Sequence, residues 1–314
     1  MEDQDMGQEP ALEPTLDELL EEQITNLHKC NDYTSNEAKC AYEALTAITE
    51  YIANNEDKAD IIAAKLADQR YGSLFVEMWK NLIGFLAIKE SKGFQNLRMM
   101  LISYRELSKV GFELGAELGE SGCIPLLMDA VDSMRDVYLD TSEIMHLVLR
   151  ILFNAIHKFD DNDQIYREAN AVQILTRCLE CEDEGVKLSC FLIMGYVVGE
   201  KQSAKIQAER GCMQAILKSL KEAVESEDHR EASQGRFSAG EMLSSLNKLV
   251  RNDVNKFEML KHGGIPLIGQ MLQDNFDEQA NTAAVVMVLN LAFVDAIRKS
   301  AKLQETYEGK TCTW

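Results

Sequence analysis

The sequence predicts an all-α fold in which short helical repeats stack into a solenoid. One phrase occurs twice along the chain, as ESGCIPLL at 120–127 and as KHGGIPLI at 261–268. Only four prolines occur in 314 residues, and the sequence has no alternating β-branched runs bounded by Asn-Gly turns. A phrase that returns roughly every 40 to 50 residues, with helical periodicity between its copies, is typical of stacked-helix solenoids.

The centre of each copy is a residue suited to a left-handed turn. Two less similar copies, EANAVQIL at 168–175 and ERGCMQAI at 209–216, complete a set of four. Glycine adopts positive φ without steric cost, and asparagine is the best substitute. We therefore expect a short helix to end and the chain to reverse at each of four turn residues: Gly122, Asn170, Gly211 and Gly263.

The spacing of these turn residues predicts two insertions. Successive turn residues are 48, 41 and 52 residues apart, whereas a helical repeat of this kind needs roughly 40. We expect the additional residues at 132–142, which is rich in aspartate, and at 221–240. Each repeat should end in a long helix, and the segments that fit are 147–156, 188–198, 242–250 and 283–293.

The positions of the copies also predict the domain organisation. We expect one solenoid over residues 16–300, with clear repeats at 110–296 and weak or capping repeats at 16–110. Residues 1–15 are predicted to be an acidic disordered tail, and residues 301–314 a C-terminal tail. The last helix lacks an evident polar cap, so Leu289, Leu291 and Phe293 are expected to be exposed or to dock a further repeat. Such an open end favours weak self-association.

The amino-acid composition restricts the class of partner. The chain carries a net charge of −20, and its first basic residue is Lys29. Nucleic acids and anionic membrane surfaces both require a cationic footprint, so neither is expected as a partner. A basic segment of another protein fits this charge, although acidic charge also serves simply to keep an elongated protein soluble.

Several features favour a location in the cytoplasm, with the nucleus as the alternative. The N-terminal 22 residues are acidic and lack the apolar core of a signal peptide, and no run of 18 apolar residues occurs. Eight cysteines are scattered along the chain, several of them inside apolar helical patterns. This usage is typical of buried thiols in a reducing compartment rather than of a disulfide framework.

Three of the four long-helix segments carry an asparagine at the same point: Asn154, Asn247 and Asn290. Together with the Gly-Cys-Ile-Pro-Leu phrase and the turn NDVNK at 252–256, these residues resemble the armadillo-repeat family. That resemblance implies three helices per repeat, stacked into a right-handed superhelix whose third helices line a concave groove. It also implies that the groove asparagines hold the backbone of an extended bound peptide.

The asparagines have an alternative interpretation, because a mid-helix asparagine also hydrogen-bonds to a neighbouring helix and stabilises stacking alone. Arg150 and Lys248 lie near them on the same helices and are candidates for holding acidic groups of a partner. The sequence therefore predicts a groove site made of Asn154, Asn247, Asn290, Arg150 and Lys248. The residues four positions before the asparagines are not tryptophan, so cargo binding of the importin type is not expected.

A narrower resemblance covers residues 235–256, which read GRFSAGEMLSSLNKLVRNDVNK. This segment is similar to an armadillo subgroup of invertebrate signalling proteins in which the solenoid precedes a TIR or similar effector domain. It implies an alternative role as the regulatory domain of such an effector. A third alternative is an exchange or chaperone factor for small GTPases, whose polybasic tails fit the acidic charge.

Catalytic, metal and cofactor signatures are not found in the sequence. Cys178 and Cys181 form a Cys-x-x-Cys pair without a second pair of ligands. The run at 160–163, DDND, begins like a calcium loop but lacks the glycine and glutamate that such a loop requires later. We therefore expect no cofactor, no metal and no catalysis. The predicted function is a protein–protein interaction scaffold that binds its partner along the groove.

Overall fold

The computed structural model describes residues 39–135, 138–225, 237–274 and 276–292, together with residues 18, 21–23, 25, 26 and 33. All regular secondary structure in these ranges is helical. The predicted tails at 1–15 and 301–314 lie outside the described residues, as do Phe293 and positions 226–236 of the predicted insertion at 221–240.

Sixteen α-helices follow one another in the described residues between 39 and 292. In order they are α1 (Lys39–Asn54), α2 (Ala59–Asp68), α3 (Tyr71–Leu82), α4 (Lys92–Leu107), α5 (Phe112–Glu120), α6 (Cys123–Arg135), α7 (Tyr138–Lys158), α8 (Asp163–Glu168), α9 (Ala171–Cys178), α10 (Glu184–Val197), α11 (Glu200–Arg210), α12 (Cys212–Glu225), α13 (Ala239–Leu249), α14 (Asp253–Lys261), α15 (Gly264–Asp274) and α16 (Glu278–Ala292).

These helices form five three-helix repeats preceded by α1. Repeat 1 comprises α2–α4, repeat 2 α5–α7, repeat 3 α8–α10, repeat 4 α11–α13 and repeat 5 α14–α16. The third helices pack in sequence, from α4 through α7, α10 and α13 to α16, and α1 packs on α4 at the start of this row. The predicted fold class, an all-α stacked-helix solenoid, is therefore confirmed.

The four predicted turn residues all adopt positive φ. The angle is 82° at Gly122, 55° at Asn170, 64° at Gly211 and 77° at Gly263, and each separates the first helix of a repeat from the second. Arg70 takes the same conformation, with φ of 55°, between α2 and α3. The segment 59–107, for which the sequence predicted only weak or capping repeats, thus forms a complete three-helix unit.

The predicted insertion at 132–142 takes the form of longer helices. Helix α6 continues to Arg135 and α7 begins at Tyr138, so that α7 reaches 21 residues. Repeat 3 is the most compact, with a first helix of 6 residues and a second of 8. Its third helix, α10, is buried at every position from 189 to 197. Such burial requires packing on all sides, and the apolar sequence CFLIMGYV at 190–197 suits it.

Candidate partner-binding groove

The side of the array formed by the third helices is concave. His157, at the end of α7 in repeat 2, lies 2.9 Å from the Gln279 side chain of α16 in repeat 5. Contact between side chains three repeats apart requires the row of third helices to curve towards them. The groove that the family resemblance implied is therefore formed by the faces of α7, α10, α13 and α16 on this side.

Asn154 fastens repeat 2 to repeat 1. Its side chain is 1% exposed. The Nδ2 group donates hydrogen bonds to the carbonyl oxygen of Arg105, at 3.1 Å, and to Oγ of Ser108, at 2.8 Å. Both acceptors lie at the C-terminal end of α4, where helical carbonyl groups lack intrahelical partners. For this residue the structure favours the stacking role over contact with a partner.

Arg150 forms a buried ion pair across the groove. Its Nη2 lies 2.5 Å from Oε1 of Glu241 on α13, and the two side chains are 6% and 12% exposed. The guanidinium group also lies over the ring of Phe237, with Cζ 4.4 Å from the ring centroid. Burial by itself would raise the pKa of Glu241, but the charge and hydrogen bond of Arg150 together with the hydrogen bond from the Ser238 amide outweigh burial and lower it. Arg150 therefore holds α7 against α13 and is not presented to a partner as the sequence predicted.

Aromatic and polar side chains extend this contact towards repeats 3 and 5. The Nδ1 atom of His157 and the hydroxyl oxygen of Tyr196 on α10 are 2.6 Å apart. The amide of Gln279 donates to Nε2, so the neutral imidazole carries its proton on Nδ1 and donates it to Tyr196. Burial lowers the pKa of His157 to about 4, although the Glu241 carboxylate acts in the opposite direction.

Lys248, on α13, contacts the same group of side chains. Its ammonium group pairs with the Asp160 carboxylate in the turn after α7. It also lies 5.4 Å from the ring centroid of Tyr196, within the range of a cation–π contact. The charge of Lys248 is thus already compensated inside the protein, and its side chain is 27% exposed.

We call these side chains from three repeats the central cluster: Arg150, Phe153, His157, Tyr196, Phe237, Glu241 and Lys248. The cluster fills the groove over α10. The close approach of the α10 and α13 backbones at Gly195 allows the cluster to fill the groove. A Cβ added to Gly195 would lie 3.0 Å from the Ser245 carbonyl oxygen. Gly195 occupies the position at which the other long-helix segments carry asparagine, and a larger residue there would separate α10 from α13.

The groove remains open beyond the cluster, between α13 and α16. Nδ2 of Asn247 donates to the Ala283 carbonyl oxygen at 2.8 Å, and Nδ2 of Asn290 donates to Oδ1 of Asn247 at 3.3 Å. Both asparagines are half-buried. They form a two-residue amide ladder on one face of the groove, and within the described part of the chain Oδ1 of Asn290 has no hydrogen-bond donor.

A shallow pocket of about 770 Å³ lies beside this ladder. Its lining combines amide, hydroxyl, acidic and aliphatic groups from the two helices: Ser244, Asn247, Lys248, Asp277, Glu278, Gln279, Thr282, Ala283 and Val286. Because Lys248 is paired with Asp160, the uncompensated charge of the lining comes from Asp277 and Glu278. The structure thus places Asn247 and Lys248 on the pocket lining, joins Asn290 to Asn247 by a hydrogen bond, and places Asn154 and Arg150 elsewhere.

The contacts between residues of the central cluster could not be predicted from the sequence. Ser238 and Glu241 form a capping box at the start of α13, with the Ser238 hydroxyl 3.2 Å from the Glu241 amide and the Glu241 carboxylate 2.8 Å from the Ser238 amide. That Ser-x-x-Glu spacing is a recognisable signal for a helix start. Nothing local indicates that the same carboxylate also binds Arg150, 91 residues earlier in the chain.

The other motifs of the sequence lie among the described residues. Among them no group of three histidine, cysteine or acidic side chains is arranged to hold a metal ion. Cys178 is buried and Cys181 half-buried, and both are free thiols. The run at 160–163 forms a turn and the start of α8. Within the described ranges no helix has the length and apolar character needed to cross a membrane.

Comparison with known proteins yields structural matches only. No family model matches the chain, and no curated protein matches it. A designed armadillo repeat protein matches with a TM-score of 0.50 at 15% identity, over 87% of this chain and 99% of that one. An engineered protein from the Northeast Structural Genomics Consortium matches with a TM-score of 0.50 at 15% identity, over 87% and 96%.

A structure concerned with the interaction between cadherin and β-catenin matches as well, with a TM-score of 0.50 at 15% identity. The match covers 93% of this chain and 47% of that one. At such low identity these likenesses concern the fold alone. The chain has an armadillo-like α-solenoid fold, and the matches give no support to the narrower subgroup that residues 235–256 resemble.

Proposed function

We propose that this protein is a non-catalytic scaffold that binds an extended segment of another protein in the open part of its groove, on α13 and α16. The observation that carries the proposal is the Asn247–Asn290 ladder beside an open pocket. An extended backbone presents N–H and C=O groups in alternation, and side-chain amides match both. Oδ1 of Asn290 is available to accept a hydrogen bond from a bound peptide N–H.

The charge of the site supports a basic partner segment. Asp277 and Glu278 are on the pocket lining, and Glu278 is exposed. The net charge of −20 adds a long-range attraction for cationic segments, which raises association rates at low ionic strength. The exposed side chain of Val286 provides an apolar contact within the same pocket.

The central cluster limits where a partner binds. An extended segment that continued over α10 would have to displace Phe237 and separate Arg150 from Glu241, which leaves two buried charges without partners. We therefore propose a short site confined to repeats 4 and 5, with modest affinity. In this assignment Asn247 and Asn290 contact the partner, whereas Lys248 shapes the edge of the pocket. No feature of the described residues favours the effector-regulating or GTPase-directed alternatives.

Buried free thiols support the expected cytoplasmic location. Cys123, Cys178, Cys190 and Cys212 are each buried and unpaired in disulfides. Thiols in such numbers persist in reducing compartments.

A display selection from a random peptide library tests this function. The affinities of the selected peptides are then measured by calorimetry for the wild type, Asn290→Ala and Glu278→Lys. Loss of one hydrogen bond or one favourable charge is expected to weaken binding about tenfold. Glu120→Lys makes the same charge change on α5, away from the groove, and is expected to have little effect. Equal affinities for all four proteins, or selection of acidic peptides, would overturn the proposal.

A further inference from the structure

A second pocket, of about 530 Å³, lies where repeat 3 meets repeat 4. Its lining comes from α8, α9, the end of α10 and the start of α11, and it shares no residue with the pocket between α13 and α16. Two arginines, Arg167 on α8 and Arg177 on α9, lie on this lining, and none of its described residues is acidic. Such a lining is suited to an anion, whereas the pocket described above is suited to a basic segment.

Both guanidinium groups are held in place by contacts inside the protein. Nε of Arg167 donates to the Val197 carbonyl oxygen at 3.1 Å, and its Nη2 lies 2.5 Å from the Asp163 carboxylate. Nη2 of Arg177 lies 2.7 Å from the Asp132 carboxylate. Neither aspartate is on the pocket lining. A guanidinium group carries five N–H donors, so these contacts leave donors on each arginine for a ligand.

Two helices begin at this pocket. Their N-cap residues are Asn170 for α9 and Gly199 for α11, and neither provides a side-chain hydrogen bond to its helix. The first N–H groups of a helix lack intrahelical acceptors and carry partial positive charge, so they attract anions. Two helix ends and two guanidinium groups therefore bring positive charge to the same cavity.

In two other repeats the protein itself places an oxygen on the N–H groups at the start of the second helix. In repeat 1, the amides of Gly72 and Ser73 donate to the Glu117 carboxylate of repeat 2. In repeat 4, the Met213 amide donates to Oε1 of Gln207 at 2.7 Å. Each of these amides lies two or three positions after the left-handed turn residue of its repeat.

Repeat 3 has no such oxygen among the described residues. Val172 is in the position of Gly72, two residues after the turn, and it lines the pocket. Its amide has no hydrogen-bond acceptor in the described part of the chain. Glu117 lies five residues before the next turn, and the residue five before the turn of repeat 4 is the apolar Ile206. A ligand oxygen on the Val172 amide would complete the pattern seen in repeats 1 and 4.

We propose that this pocket binds a single phosphate group, held by Arg167, Arg177 and the amides at the starts of α9 and α11. A phosphomonoester suits the lining better than a carboxylate does, because its charge of about −2 and its three acceptor oxygens match donors from four directions. A polyanion is disfavoured, because the net charge of −20 repels it. The phosphomonoester is carried by a small organic molecule or by a phosphorylated side chain, and both present the same chemistry.

Amide NMR of the full chain tests the site, with inorganic phosphate as the probe and chloride adjusted to keep the ionic strength constant. Saturable shifts are expected at Val172 and Gln202, with affinity in the millimolar range. Arg177→Gln should weaken binding about tenfold, because it removes one charged donor group. Arg98→Gln removes a guanidinium group that is 43% exposed on α4, outside the pocket, and should leave the affinity unchanged.

Gly199→Asp separates loss of binding from loss of folding. A Cβ added to Gly199 meets no atom within 4 Å, and an aspartate at this N-cap position places a carboxylate on the start of α11. The variant is expected to melt no lower than the wild type and to lose phosphate binding. Gly84→Asp adds the same charge at another glycine with open space around it, and should bind phosphate normally.

Glycerophosphate and a phosphoserine peptide distinguish the two sources of the phosphate group. A peptide that binds roughly tenfold more tightly than glycerophosphate, or better, identifies a phosphorylated protein as the ligand. Any smaller difference identifies a small organic phosphate. Shifts that do not saturate with inorganic phosphate, or wild-type affinity in Arg177→Gln or Gly199→Asp, would overturn the proposal.

Discussion

The buried ion pair between Arg150 and Glu241 allows a quantitative test of the central cluster. Glu241→Gln preserves the size of the side chain and retains an oxygen that accepts the Ser238 amide hydrogen bond of the capping box. It removes the charge that compensates Arg150, whose side chain is only 6% exposed. Removing one partner of a buried pair leaves an uncompensated charge, and the expected loss is about 3 to 5 kcal/mol in the free energy of unfolding.

The magnitude can be checked against an exposed pair of the same kind. Arg98 and Glu143 approach to 2.6 Å, but their side chains are 43% and 55% exposed. Glu143→Gln is therefore expected to cost less than about 1 kcal/mol, because solvent screens the interaction. The contrast between Glu241→Gln and Glu143→Gln isolates the effect of burial from the effect of losing a carboxylate.

Guanidinium denaturation monitored by circular dichroism provides the measurement. Because repeat arrays do not always unfold in one step, hydrogen exchange of α7 and α13 should accompany it. The double variant Arg150→Met/Glu241→Gln removes both charges and is expected to recover most of the loss. If Glu241→Gln and Glu143→Gln cost the same, the pair is not buried in solution and the central cluster does not close the groove.

Three further outcomes are expected. Asn154→Ala should lower the free energy of unfolding by about 1 to 3 kcal/mol in chemical denaturation, since it removes two hydrogen bonds from a buried amide to the end of α4. A loss below about 0.5 kcal/mol would contradict its stacking role. The pKa of His157 is lowered to about 4 in the folded state, so the unfolded state binds a proton first and the free energy of unfolding should fall as pH decreases from about 6.5 to 4. His157→Gln should flatten that part of a profile of melting temperature against pH. An unchanged profile would count against the contacts assigned to His157. Arg70→Gly should raise the free energy of unfolding by about 0.5 to 1 kcal/mol in thermal melts, because a non-glycine residue is strained at φ of 55°. Asn170→Gly should gain less, because asparagine tolerates this conformation better. Destabilisation by Arg70→Gly would refute this reasoning.

The repeat architecture could be predicted because its signals are local. A residue that tolerates positive φ, followed by an apolar helical pattern, indicates a helix reversal wherever it occurs, and the structure places Gly122, Asn170, Gly211 and Gly263 at such reversals. Arg70 escaped detection because its side chain gives no sign of a left-handed turn. There the packing of α2 and α3 imposes the conformation against the residue's own preference.

The roles of the groove residues depended on information that is not local. Asn154, Asn247 and Asn290 occupy equivalent sequence positions, yet Asn154 is buried against α4, while Asn247 lines an open pocket and Asn290 donates a hydrogen bond to Asn247. Which side of a third helix faces solvent depends on how closely its neighbours approach and on how far the array curves.

From sequence alone, the residue pattern of this protein specified an all-helical repeat chain, the places where it turns, and an acidic surface. Tertiary structure decided that, among the described residues, the central cluster fills the groove over α10 while the pocket between α13 and α16 stays open. The physical reason is that curvature brings together Arg150 and Glu241, 91 residues apart, and His157 and Gln279, 122 residues apart. Their pairing arises from the stacking of whole repeats, which no local sequence pattern encodes.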